Sequence, residues 1–114
     1  MQNIDPDWEI TVQDVKARMD KDEDFFFLDV RQSEEYEHCR IDGTTLVPLP
    51  ELQSRLEEIG RLAAGREIIA HCHHGHRSMQ AAVLLRQAGL GTARSMAGGI
   101  DAWSIQIDRA VPRY

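Results

Sequence analysis

The chain has 114 residues, with 13 Lys and Arg against 19 Asp and Glu for a net charge of −6 at pH 7, and 42% of it is hydrophobic. That length fits one compact domain over residues 1–114, and the apolar fraction suffices for a modest core, unlike that of a disordered chain. The acidic balance speaks against nucleic acid or an anionic membrane surface as the main partner, and no apolar run approaches the roughly 20 residues of a membrane span.

In chain order, Met1-Gln2-Asn3-Ile4-Asp5-Pro6 lacks the basic flank and apolar stretch of a secretion signal. Cys39 and Cys72 alone make no disulfide scaffold, so a soluble cytoplasmic domain, monomeric by default, is expected. Thr11 can cap a helix carrying Val12, Val15 and Met19. Phe25 to Val30 reads as a strand buried on both faces, followed by polar Arg31-Gln32-Ser33, with Ser33 able to cap a short helix through Tyr36. A second strand is expected over about Thr45 to Leu49, closed by Pro48 and Pro50. Leu52, Leu56 and Ile59 share a helical face, with Gly60 as the stop. Glu67 to Cys72 is the third strand, and a strong helix is expected from about Ser78 to Gly89. Thr92 to Met96 is the fourth strand, Gly98-Gly99 a turn, and a last helix carries Ile100, Trp103 and Ile107. Strands alternating with amphipathic stretches are the mark of a sheet built from β-α-β units.

In such a sheet, ligands bind beyond the carboxyl ends of the strands, and Cys72 stands at one of these ends. Gly75 permits a tight curl in the following loop, whose N–H groups can converge on one point beside the amino end of a helix. That setting favours a thiolate. A lone Cys at a strand end is most simply a small buried hydrophobe. An inert Cys, however, needs no glycine-hinged, donor-rich loop beside it. The inert reading holds for Cys39, which follows Tyr36-Glu37-His38 in a surface helix or loop with no partner base.

The string His71-Cys72-His73-His74-Gly75-His76-Arg77-Ser78 resembles the active-site loop of rhodanese domains, which reads Cys, two variable residues, Gly, one variable residue, Arg, Ser. Leu28-Asp29-Val30-Arg31 with Glu34-Glu35-Tyr36, then Ile41-Asp42-Gly43, Val47-Pro48-Leu49 and Met96 to Trp103, are similar to further blocks of that family in its order. The resemblance covers roughly residues 8–107. It implies a central parallel sheet of about five strands flanked by helices on both faces, and a sulfurtransferase of the thiosulfate:cyanide type. In that chemistry Cys72 takes the sulfane sulfur of thiosulfate or another persulfide donor and passes it to a thiophilic acceptor, a protein or a small thiol. The persulfide would rest among the N–H groups of His73, His74, Gly75, His76, Arg77 and Ser78. No metal or organic cofactor is implied. The family's usual Gly-His before Ile41 is Cys39-Arg40 here, a departure that leaves that turn open to differ and by which Cys39 could face solvent.

Cysteine-based phosphatases set five residues between Cys and Arg. Here four separate Cys72 from Arg77, and Ser78 takes the phosphatase arginine's position. The shorter cup suits a single sulfur atom. Arg77 could steer anionic donors, but is read first as an ion pair fixing the loop to a carboxylate such as Asp29, with Asp29 and Arg31 as structural support and Ser78 as helix cap and hydrogen-bond donor to the sulfur. A zinc reading of His71, His73, His74 and His76 around Cys72 lacks the usual ligand spacing. His73, His74 and His76 are expected instead to line the mouth and add charge when protonated. With Arg77 the only fixed cation of the loop, thiosulfate is expected to be a mediocre donor, and a protein or low-molecular persulfide the better one. A sulfur carrier without turnover, or a partner-binding module that merely keeps the fold, are the alternatives.

Overall fold

The structure is a computed structural model that describes residues 4–114. Of the segment read for a leader, Met1-Gln2-Asn3 lie outside the described residues. Five strands, β1 (Glu9–Ile10), β2 (Phe26–Asp29), β3 (Thr45–Leu46), β4 (Ile68–His71) and β5 (Arg94–Met96), form a sheet in the order β1-β5-β4-β2-β3, every pair parallel. The helices are α1 (Val12–Asp20), α2 (Ser33–His38), α3 (Leu49–Leu52), α4 (Leu56–Ala63), α5 (His76–Gln87) and α6 (Gly99–Gln106).

The unbroken apolar run of β2 is explained by the pleat, which sends successive side chains to opposite faces. Phe26 and Leu28 join Leu52, Ile59, Ile68, Ala81 and Leu85 in one core, so α3, α4 and α5 cover that face. Phe27 joins Val15, Ile69, Met96, Ile100 and Trp103 in the other, beneath α1 and α6. The α/β class with helices on both faces is therefore the observed one. None of these helices is long and apolar enough to cross a membrane.

Four local expectations change. β1 was not read from the sequence, because two residues carry no periodic signal; pairing of Glu9 with Ser95 and Ile10 with Met96 creates it. The second strand stops at Leu46, and the chain enters α3 with Pro48 at the cap position and Pro50 inside the first turn, where a missing N–H costs nothing. Gly60 does not end its helix. α4 continues to Ala63 and turns out through left-handed Ala64 (φ 52°), while Gly60 leaves room for Leu90, whose Cδ2 would stand 3.3 Å from a Cβ there. Ser33 is not a cap either, since Gln32 precedes α2 and donates its N–H to Glu35 Oε1 at 3.0 Å. Thr11 caps α1 as its spacing indicates, accepting from Asp14 N–H at 3.1 Å.

Candidate active site

β4 delivers Cys72 to the carboxyl edge of the sheet, on the face covered by α5, with 1% of the residue exposed. Gly75 at φ +111° turns the chain back so that its own N–H points at Cys72 Sγ, 3.1 Å away. α5 starts at once, and the N–H of Ser78, one of the first-turn amides with no partner inside a helix, donates to the same sulfur at 3.3 Å. The Ser78 hydroxyl lies 3.4 Å from it. The sulfur therefore sits at the positive end of a 12-residue helix, facing two amides and one hydroxyl. Ser78 is not the helix cap that its residue type suggested. Gly75 holds that position, and Ser78 Oγ contacts Cys72, the Gly75 carbonyl (3.2 Å) and Ser95 Oγ (2.6 Å).

α6 fixes the loop from below. Ile100 N–H donates to Cys72 O at 2.8 Å and Asp101 N–H to His73 O at 3.1 Å, which pins the first two carbonyls of the loop. Gly98-Gly99 is thus a helix start pressed against the loop rather than a plain turn. Gly99 has φ +61°, and a Cβ there would come within 2.4 Å of His73 O and 2.5 Å of Cys72 O.

Arg77 does pair with a carboxylate, but not with Asp29. It grips Glu35 of α2 with both nitrogens, Nη1 to Oε1 at 2.7 Å and Nη2 to Oε2 at 2.9 Å. Asp29 is taken by Arg31, Nη2 to Oδ2 at 2.7 Å, both side chains wholly buried. Arg31 also donates to Cys39 O at 2.8 Å and to the Tyr114 hydroxyl at 3.1 Å. Burial opposes the Arg31 charge, yet the bonds to Asp29 and Tyr114 prevail and raise its pKa further. Tyr114 in turn donates to Glu35 Oε2 at 2.6 Å. Asp29, Arg31, Tyr114, Glu35 and Arg77 so form one chain of polar contacts leading to the loop. The Arg77 fork, with help from Tyr114 and Gln32, takes the Glu35 carboxyl from its ordinary 4.5 down to about 2. Cys39 does not face solvent: it is 7% exposed, packed among the residues beneath α6.

The histidines separate by environment. His71 is fully buried on the opposite face of the sheet, edge-on to Phe27 at 5.2 Å, and burial pushes its pKa down. His73 stacks on Tyr114 with centroids 3.9 Å apart and on His74 at 3.9 Å, and burial followed by the neighbouring His74 lowers its pKa. Both effects work against the positive charge expected of it. His74 and His76 are exposed beside the loop. Among the described residues no group of three or more His, Cys, Asp or Glu side chains is placed to hold a metal.

Glu35, Ser95 and Tyr114 are the site neighbours to which sequence reasoning gave no role. Of these only Glu35 carried a signal, in the acidic-aromatic Glu34-Glu35-Tyr36.

Sheet and site define a parallel α/β domain whose strand-end cysteine is met by two loop amides, those of Gly75 and Ser78, rather than by a full ring from His73 to Ser78. Residues 11–106 match the rhodanese-like domain family, a family of sulfurtransferases and sulfur carriers, and the chain belongs to it. The provisionally named sulfur carrier protein YrkF of Bacillus subtilis (strain 168) is 34% identical over 96 residues, which cover 84% of this chain and 50% of that protein. An adenylyltransferase and sulfurtransferase of Zea mays, MOCS3-2, is 30% identical over 112 residues, 92% of this chain and 23% of that protein. The chain thus spans half or less of the length of these two relatives. The human single domain sulfurtransferase TSTD1 superposes with a TM-score of 0.73 at 25% identity, over 86% of this chain and 96% of that one.

Proposed function

We propose that this domain transfers sulfane sulfur through a persulfide on Cys72. One observation carries the reading: the Gly75 and Ser78 amides converge on a single buried sulfur, at 3.1 and 3.3 Å. Hydrogen bonds from fixed dipoles stabilise negative charge most where water is excluded. The Cys72 thiolate attacks the outer sulfur of the donor, a new S–S bond forms, and the donor's own S–S bond breaks with its electron pair leaving on sulfite or on a thiolate. An acceptor nucleophile then attacks the outer sulfur of the persulfide, and the electron pair returns to Cys72. This is covalent catalysis in two steps, needing no group beyond the loop.

The donor class follows from the charges. Arg77 is bound by Glu35, Arg31 by Asp29, and Arg113 by Asp101 at 2.9 Å, so the guanidinium groups nearest the loop are already neutralised. A dianion such as thiosulfate meets little attraction there, and a protein or low-molecular persulfide is the better donor. The same pairing argues against phosphate ester hydrolysis, since the arginine that would grip phosphate oxygens is turned to α2. The likeness to a protein named as a sulfur carrier favours a second reading, in which the domain loads sulfur and hands it to one partner without free turnover.

Incubation with thiosulfate, and separately with cysteine persulfide, followed by intact mass measurement, tests the reading. One added sulfur, removed by a reductant, is expected, faster from the persulfide. Cys72→Ser abolishes the adduct and Cys39→Ser leaves it. An adduct that maps to Cys39 overturns the assignment. Release of thiocyanate over many cycles with cyanide present separates enzyme from carrier.

A further inference from the structure

Behind the loop, β5 places a second hydroxyl. Ser95 and Ser78 are both wholly buried, their Oγ atoms 2.6 Å apart, within the range of a good O–H···O bond. Ser95 Oγ also lies 3.4 Å from the Gly75 carbonyl, which already accepts the Met79 N–H at 3.1 Å. Ser95 stands between Arg94 and Met96, and Met96 packs into the opposite core. The strand pleat therefore turns Ser95 toward the face that carries Cys72.

Each hydroxyl has one proton, so the network has few arrangements. With Cys72 as a thiol, S–H donates to Ser78 Oγ, Ser78 O–H donates to Ser95 Oγ, and Ser95 O–H donates to the Gly75 carbonyl. Once the sulfur is ionised it only accepts. The chain then reverses: Ser95 O–H donates to Ser78 Oγ, and Ser78 O–H donates to sulfur. The Gly75 carbonyl keeps its Met79 partner. Every O–H and S–H donor has an acceptor in both states, and the serial bonds polarise one another.

We propose that Ser95 is a positioning residue for the sulfur chemistry, acting through Ser78 by turning the hydroxyl pair to follow the charge on Cys72. Without it, the thiol state is still satisfied, because Ser78 O–H can reach the Gly75 carbonyl at 3.2 Å. The ionised state loses the Ser95 O–H that polarises the Ser78 hydroxyl toward the negative sulfur. The loss of Ser95 therefore removes a neutral bond from the thiol state but a charge-supported one from the ionised state, and it falls mainly on the thiolate and the persulfide. The charged groups around the loop do not change with it. Arg77 of α5 stays on Glu35 of α2, and His71 of β4 faces Asp29 and Arg31 across the sheet.

The inference rests on Cys72 being the reacting thiolate of the proposed transfer, but its test needs no donor. Alkylation of Cys72 by iodoacetamide in the whole chain is followed by peptide mass spectrometry across pH. Ser95→Ala should slow it about three- to tenfold at neutral pH, the worth of one hydrogen bond, with the rates converging at alkaline pH. Ser78→Ala should slow it at least as much, and adding Ser95→Ala to that variant should change nothing further. Ser95→Thr keeps the hydroxyl and should restore the wild-type profile. A Ser95→Ala profile that superimposes on wild type, or that is slowed equally at every pH, overturns the proposal. So does a double variant slowed by the product of the two single effects. If the alkylation profiles behave as expected but no donor loads sulfur on Cys72, the transfer reading fails and the hydroxyl pair stands.

Discussion

Arg31 donates to Asp29, Cys39, Tyr114 and the Glu35 carbonyl, and no part of its side chain reaches water. Asp29 closes β2 and Arg31 follows two residues later, so a pair local in sequence ties the strand end to the chain that leaves α2. A buried guanidinium is stable only while its partner carries charge. Asp29→Asn keeps the shape and removes that charge. Its urea midpoint should fall with the slope unchanged, by about 3–5 kcal/mol, the usual effect of stranding one member of a buried pair. A loss under about 1 kcal/mol, as for a surface pair, would show that the contact does not anchor β2.

Among the elements, α6 has the greatest influence on the site without touching the sulfur. Its first amides hold the carbonyls of Cys72 and His73, and only a residue without Cβ tolerates that approach at position 99. Gly99→Ala must push the loop away by a good fraction of an ångström and hold a left-handed backbone as well. Sulfur loading on Cys72 should drop about a hundredfold, as expected when reacting groups are misplaced by around 1 Å. The far-ultraviolet circular dichroism should stay native, because the helices and strands do not depend on this contact. Wild-type loading in that variant would show that the loop is held by something other than α6.

For the molecule as a whole, acid is the vulnerable side. Glu35 has its pKa lowered, chiefly by Arg77, so it binds fewer protons folded than unfolded. Its contribution is present above its ordinary 4.5 and is lost as pH falls from there toward about 2. His71, kept neutral by burial, acts in the same direction from higher up. Below its ordinary 6.5 the unfolded chain takes up a proton that the folded one refuses. Stability measured by urea midpoint should therefore decline in two stages, first below about pH 6.5 and again below about pH 4.5. His71→Gln should shrink the first stage to the share that His73 contributes, and a midpoint that stays level from pH 7 to 5 would mean that both imidazoles titrate in the folded state as they do unfolded.

The alternation of strands and helices, the two-sided burial of β2, the Cys72 loop and the family are legible in the sequence alone. These depend on neighbours within a few residues, where period, turn chemistry and loop length act directly. It misread Gly60 and Ser33, whose roles depend on packing and on which residue occupies the cap rather than on residue type. It offered Asp29 as the carboxylate for Arg77, while the fold brought Glu35 to it across 42 residues. Tyr114 reaches Arg31 across 83 residues, and Ser95 reaches Ser78 from another strand. Only tertiary structure decided these contacts, because they exist once the sheet has brought the ends of distant elements together.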